Sequence, residues 1–288
     1  MRKLSSIFLI ACFCLGLVAV AKEVKRPDSY AYNRGVEALE NENLQEAVQW
    51  FSKELAEHPN NGYAYFYLAS ISGYTNDFST ALGNAEKALN KIPKKDKRYR
   101  SITENLKATI YLAMEDTVKG LDSYDKALKI DPTNTAIYED RADLYYEMGK
   151  YDLADADYLS ILKVDPNSSM ANVGLGRNAK SQENWDEAIN YFTKAVKLSP
   201  DYSRAYAFRA EAYMGKKQWS EAADDIIKAL AIDGDSKAYN LLNIMEEEGV
   251  PLLKTKMKIE MTKNPGDISW PYFIASLEYQ NGNFNEAI

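Results

Sequence analysis

The sequence predicts an all-α protein, a solenoid of stacked antiparallel helix pairs behind a cleaved signal peptide. Three observations predict it. Prolines recur at a fixed step, small residues recur in register with them, and each interval holds two runs of helical length with apolar spacing near 3.6.

At the N-terminus, Arg2 and Lys3 precede an apolar run from Leu4 to Ala21, broken only by Ser5, Ser6 and Gly16. Ala19 and Ala21 supply the small residues that a signal peptidase needs, so residues 1–21 read as a signal peptide and 22–27 as a short linker. Two rival readings are an uncleaved membrane anchor, for which the run is just long enough, and a lipoprotein box at Leu9-Ile10-Ala11-Cys12. The box would leave apolar Phe13 to Ala21 on the mature side of the cut.

Past the leader, Pro59, Pro93, Pro132, Pro166 and Pro200 stand 34, 39, 34 and 34 residues apart. Small residues keep this step in Gly35, Ala69, Ala108, Ala142, Gly176 and Ala210. A second column is Ala47, Ala81, Gly120, Ala154, Ala188 and Ala222. A third is Ala88, Ala127, Ala195 and Ala229, from which Glu54 and Ile161 depart. Aromatics hold a fourth column at Phe51, Tyr124, Tyr158 and Phe192. Two helices approach closely only where side chains are small, and the aromatic column fills the wider gap beside them. Short polar turns such as Asn41-Glu42-Asn43, Met148-Gly149-Lys150 and Gln182-Glu183-Asn184 split each pair. The proline, lacking an N–H, ends the second helix. Each pair leaves one apolar face uncovered and needs a neighbour to stack on.

This pattern resembles the tetratricopeptide repeat family, with its 34-residue unit, small residues at set places and proline near the end. The resemblance implies a right-handed superhelical solenoid with units at 28–61, 62–95, 101–134, 135–168, 169–202 and 203–236. A degenerate seventh unit spans 237–267, with Pro251 opening its second helix and larger residues (Leu241, Leu253, Glu260) in the small-residue columns. A truncated eighth spans 268–288, where Asn283 to Ile288 look like the start of a second helix, so the chain reads as a fragment of something longer.

The resemblance also places first helices along a concave groove. Its candidate partner-binding residues are Tyr32, Tyr63, Phe66, Tyr74, Asn105, Glu139, Asp143, Tyr146, Arg177, Lys180 and Arg204. The groove reads aromatic, then acidic, then basic, which suits an extended or helical segment of a protein or peptide partner. The plainer reading of Tyr63 and Phe66 is packing between neighbouring first helices. Family members that clamp the C-terminal carboxylate of heat-shock chaperones need basic residues and asparagine early in the array. Here Tyr32, Val36, Tyr67, Ile102 and Leu106 stand there instead.

Composition narrows the function classes. Hydrophobic content of 46% and charged content of 27% argue against wholesale disorder. The net charge is −7, and loss of Arg2 and Lys3 with the leader makes it more negative. An acidic surface repels phosphates, so neither nucleic acid nor anionic membrane is expected as a partner, and membrane contact is expected only through the leader. The basic stretch Lys94, Lys95, Lys97, Arg98 and Arg100 is the exception, and its plain reading is a lengthened, solvated junction.

Both cysteines, Cys12 and Cys14, lie in the leader, and His58 is the one histidine. No catalytic residue, metal site or cofactor site is therefore expected. Gly174-Leu175-Gly176 lacks the third glycine of a phosphate-cradling loop. Asp155/Asp157 and Asp224/Asp225 read as solubilising charge on outward faces. The expected function is a non-enzymatic interaction scaffold in the periplasm or on the outer surface of a Gram-negative-like bacterium. The alternative is the substrate-presenting arm of a larger exported enzyme.

Overall fold

The computed structural model describes residues 27–233, 236–245, 248–280 and 282. The signal-peptide reading, most of the linker and the helix start expected at 283–288 lie outside the described residues. Those residues form fifteen α-helices and no strand. They fall into two compact units, one ending at Ile137 and one beginning at Tyr138.

The first unit is a stack of three helix hairpins: α1 (Tyr30–Glu40) with α2 (Leu44–Glu57), α3 (Gly62–Tyr74) with α4 (Phe78–Lys91), and α5 (Lys97–Ala113) with α6 (Thr117–Ile130). Helix α7 (Thr135–Glu147) starts at its end. The second unit holds most of α7, then α8 (Tyr151–Val164), α9 (Ser169–Ser181), α10 (Trp185–Leu198), α11 (Ser203–Gly215) and α12 (Trp219–Asp233). It closes with α13 (Ser236–Ile244), α14 (Val250–Lys263) and α15 (Ser269–Gln280).

Local chemistry starts these helices. Ser29, Asn43, Asn61, Asp77, Asp96, Asp116 and Ser168 each accept a backbone N–H of the first turn through the side-chain oxygen. Pro251 opens α14, where a missing N–H costs nothing. The hairpin turns share one further feature. Glu42, Asn76, Glu115, Gly149, Glu183 and Lys217 stand at the repeat step and all adopt positive φ, from 57° to 70°. Only Gly149 is free of the Cβ penalty there. Gly149→Ala is expected to destabilise the protein by about 1 kcal/mol, whereas Glu115→Gly should be close to neutral. Thermal unfolding of both variants checks this, and an equal response would refute the shared-turn account.

Packing follows the columns. Ala47, Ala81, Ala154, Ala188 and Ala222 are fully buried, as are Ala69, Ala108, Ala142 and Ala210 on the facing helices. The aromatic column lies against the small one. A Cβ on Gly35 would sit 2.7 Å from the Phe51 ring, and one on Gly176 would sit 2.6 Å from that of Phe192. The same closeness recurs two residues earlier on α9, where a Cβ on Gly174 would meet the Tyr158 ring at 2.4 Å. In the degenerate pair, Leu241 and Leu253 fill the small-residue places and are buried in a core with Ile226, Met257 and Trp270.

Two sequence expectations are corrected here. The basic stretch after Pro93 is a solvated junction only in part: from Lys97 on it is the first turn of α5, the longest helix among the described residues, with Asp96 as its cap. Tyr99 is buried, and the Arg100 guanidinium donates to the carbonyls of Leu89 and Ile92 at the end of α4. Lys94, Lys95 and Lys97 remain exposed.

Asp157 and Asp225 do not face solvent either; they are 3% and 5% exposed. Arg141 grips Asp157 through two bonds of 2.9 and 2.7 Å, and Arg209 grips Asp225 through two of 2.7 Å. Each arginine sits on a first helix and reaches the second helix of its own hairpin, so the charge is carried inward by a partner rather than outward to water. Their neighbours are nearer the expectation: Asp155 is bonded by Asn178 at 2.7 Å, and Asp224 pairs with Lys256 at the surface.

Candidate docking cleft

The second unit contains a cleft of about 550 Å³. Its walls come from successive first helices: Glu139 and Asp143 of α7, Val173 and Arg177 of α9, Arg204, Phe208 and Glu211 of α11, and Lys237 and Leu241 of α13. Within each helix these residues are spaced four or three apart, which sets them on one helical face. Tyr158 reaches the cleft from α8 across Gly174, and Tyr202 lines it just before α11.

Most charges in the cleft are already matched. The Tyr158 hydroxyl donates to Asp143 Oδ1 at 2.8 Å, and the Arg177 guanidinium donates to the same oxygen at 3.1 Å. Burial first, and the Asp143 charge second, hold the Tyr158 hydroxyl well above the usual phenol range. Arg177 also lies 4.4 Å from the centre of the Tyr146 ring, whose hydroxyl shares a 2.9 Å hydrogen bond with Ser181. Glu211 receives the ammonium groups of both Lys180 and Lys237. These three cations cluster over Phe208, with Lys237 at 4.3 Å, Lys180 at 5.5 Å and Arg177 at 5.8 Å from the ring centre. Phe208 in turn stacks on the buried Phe192, with ring centres 5.7 Å apart.

Glu139 differs from the other acids. It makes no hydrogen bond or ion pair among the described residues, while Asp143 and Asp140 stand close enough to oppose its ionisation. Burial first, then these two carboxylates, push its carboxyl up to about 7, against a weaker opposing pull from Arg177.

The structure thus brings together Glu139, Asp143, Arg177 and Arg204 in the cleft wall, with Tyr146 and Lys180 bracing it. The acidic and basic stretches expected in succession are interleaved instead, Asp143 with Arg177 and Glu211 with Lys180. Tyr158, Tyr202, Phe208 and Lys237 escaped the sequence reading. Phe208 could have been found four residues beyond Arg204 on the same helical face.

The aromatic part of the expected groove belongs to the core of the first unit. Tyr32, Tyr63, Phe66 and Asn105 are buried there, and Tyr74 lies at the margin with 36% exposure. The Tyr63 ring meets Tyr99 at 4.9 Å and donates its hydroxyl to Asp96 at 2.8 Å. Phe66 meets Tyr99 at 5.5 Å, and Tyr32 meets Tyr67 at 6.1 Å. The reason lies in α3, which has no charged residue on any face and is therefore enclosed on several sides.

A second, more open cleft of about 550 Å³ lies in this unit around Pro27, His58 and Asn61. There buried Glu54, the departure from the small-residue column, accepts from the Ser29 hydroxyl and from Asn61 Nδ2, the latter at 2.8 Å. It ties the start of α1 to the junction before α3. No group of three or more His, Cys, Asp or Glu among the described residues could hold a metal ion.

Comparison with known proteins agrees with the hairpin geometry. Two family models, both described as tetratricopeptide repeat, match residues 123–156 and 179–243. Those two segments match as tetratricopeptide repeats. A curated relative, the DnaJ homolog subfamily C member 7 homolog of Dictyostelium discoideum, is 29% identical over 143 residues, covering 46% of this chain and 26% of the relative. The chain spans about a quarter to a third of the length of the curated relatives it matches.

Among solved structures, the C-terminal part of a TPR repeat-containing protein from Cytophaga hutchinsonii superimposes with a TM-score of 0.65 at 18% identity. That match covers 89% of this chain and 99% of the other. YrrB, a TPR protein with an unusual peptide-binding site, superimposes with a TM-score of 0.51 at 19% identity, over 68% of this chain and 98% of its own. At such identities the likeness is one of fold. Repeats of this kind serve as protein-interaction scaffolds.

Proposed function

We propose that this protein is an exported, non-enzymatic scaffold that holds a segment of a partner protein in the cleft of its second unit. One observation carries the reading. Four successive first helices turn the same face to one cleft, and the cleft lining combines aromatic rings, guanidinium groups and a carboxyl group, that of Glu139, with no hydrogen bond or ion pair among the described residues. Aromatics and arginine contribute most to protein interfaces. A structural neighbour, YrrB, has a peptide-binding site, and the cleft here has a volume of about 550 Å³. Export rests on Arg2, Lys3 and the apolar run to Ala21, and a periplasmic or outer-surface location follows from it.

Ile244 lines the cleft and is 58% exposed, so Ile244→Trp should occlude the cleft without disturbing the core. Partner proteins cross-linked to the wild-type chain in its native host are expected to be lost with this variant. Equal recovery would remove the cleft from the account. N-terminal sequencing of the exported protein is expected to begin at Lys22.

A further inference from the structure

Among the described residues, Glu139 is the one acid of the cleft lining with no hydrogen bond or ion pair. Asp143 is engaged by Tyr158 and Arg177, and Glu211 by Lys180 and Lys237. The ionisable groups that face Glu139 are Asp140 and Asp143 on its own helix, Tyr158 on α8, Arg177 on α9, and Tyr202 ahead of α11. The two carboxylates oppose its ionisation more strongly than Arg177 favours it. A carboxylate in that setting is stabilised by a cation brought from outside. The same cleft is lined by Met170 and Val173 of α9 and by Tyr202. Such a surface takes the methylene stem of a long basic side chain while its head remains polar.

We infer that the cleft recognises a lysine or arginine side chain of its protein partner, the cationic head against Glu139 and the stem along Met170, Val173 and Tyr202. This rests on the scaffold reading above and adds the partner's chemistry to it. Arg177 does not compete for the position, because it is directed to Asp143. The neighbouring cations over Phe208 set a second requirement: the basic residue must be flanked by uncharged or acidic ones, since a run of lysines would be repelled by Lys180 and Lys237.

The test is selection of a phage-displayed library of random peptides on the full chain. Each enriched peptide is then synthesised and titrated by calorimetry against wild type, Glu139→Gln and Ile244→Trp. Peptides that fail to bind Ile244→Trp are cleft ligands. The expected result is that these carry an isolated lysine or arginine. Their affinity should fall about ten-fold on Glu139→Gln, and by a similar factor when the basic residue becomes norleucine.

Binding to wild type should also weaken as pH is lowered from about 8 to about 6, because protonation removes the charge of Glu139, and the variant should lose that dependence. Cleft ligands without a basic residue, or indifferent to Glu139→Gln, overturn this inference and leave the scaffold reading standing. If no enriched peptide distinguishes Ile244→Trp from wild type, both fall. Circular dichroism of Glu139→Gln confirms that the isosteric variant folds.

Discussion

Arg141→Ala is expected to destabilise the protein by about 3–5 kcal/mol, the range for stranding one member of a buried ion pair. Asp157 is almost fully enclosed, and the arginine donates to each of its two oxygens. Without Arg141 the carboxylate must either stay charged in a poorly solvated site or take up a proton. The loss does not measure what the pair adds to stability, since two charges were desolvated to form it.

The chain itself shows this. The same contact recurs two repeat lengths later as Arg209 with Asp225, yet in the repeat between them the positions are Leu175 and Tyr191, which pack together in an apolar cluster. Arg141→Leu with Asp157→Tyr should therefore recover most of the loss. Urea unfolding followed by circular dichroism compares the single and double variants. A double variant as unstable as Arg141→Ala would show that the ion pair has a role that apolar packing does not replace.

Phe192→Ala is the second large effect, at about 3–5 kcal/mol for removing a fully buried ring. The surroundings cannot close the space, because the ring lies directly on Gly176, where no side chain is available to swing in. This gives the prediction a sign test. Gly176→Ala alone should cost about 1–3 kcal/mol by overpacking against Phe192, but in the Phe192→Ala background the added methyl group fills part of the cavity and should stabilise. Non-additivity of that kind marks direct contact. Additive losses would show that the two columns do not pack as described. Phe192 also supports Phe208 in the cleft, so Phe192→Ala should weaken cleft ligands even under conditions where the protein stays folded.

The turns and columns were legible because they repeat. A proline every 34 residues and alanines in step with it mark where helices end and where they touch. The buried arginine–aspartate pairs were not legible, because Asp157 and Asp225 read as surface charge until the partners on the facing helices were known. A signal was present nonetheless: Arg141 and Asp157 reappear together as Arg209 and Asp225 at twice the repeat step. The aromatic residues Tyr63 and Phe66 admitted two readings, groove or packing between neighbouring first helices, and they pack against Tyr99 of α5. Their register places them on a groove-facing side, but the helix that carries them, lacking any charge, is enclosed.

By itself the sequence determined the helix pairs, their turns and the small-residue seams between them, because periodicity and local capping act within one repeat and need no distant partner. Only the tertiary structure decided which side chains remain available. That Asp143 and Glu211 are already held while Glu139 is not, and that Tyr32 and Asn105 are core, depends on residues from neighbouring helices that meet only after stacking. Burial and charge compensation are properties of the packed neighbourhood, and no single repeat contains that neighbourhood.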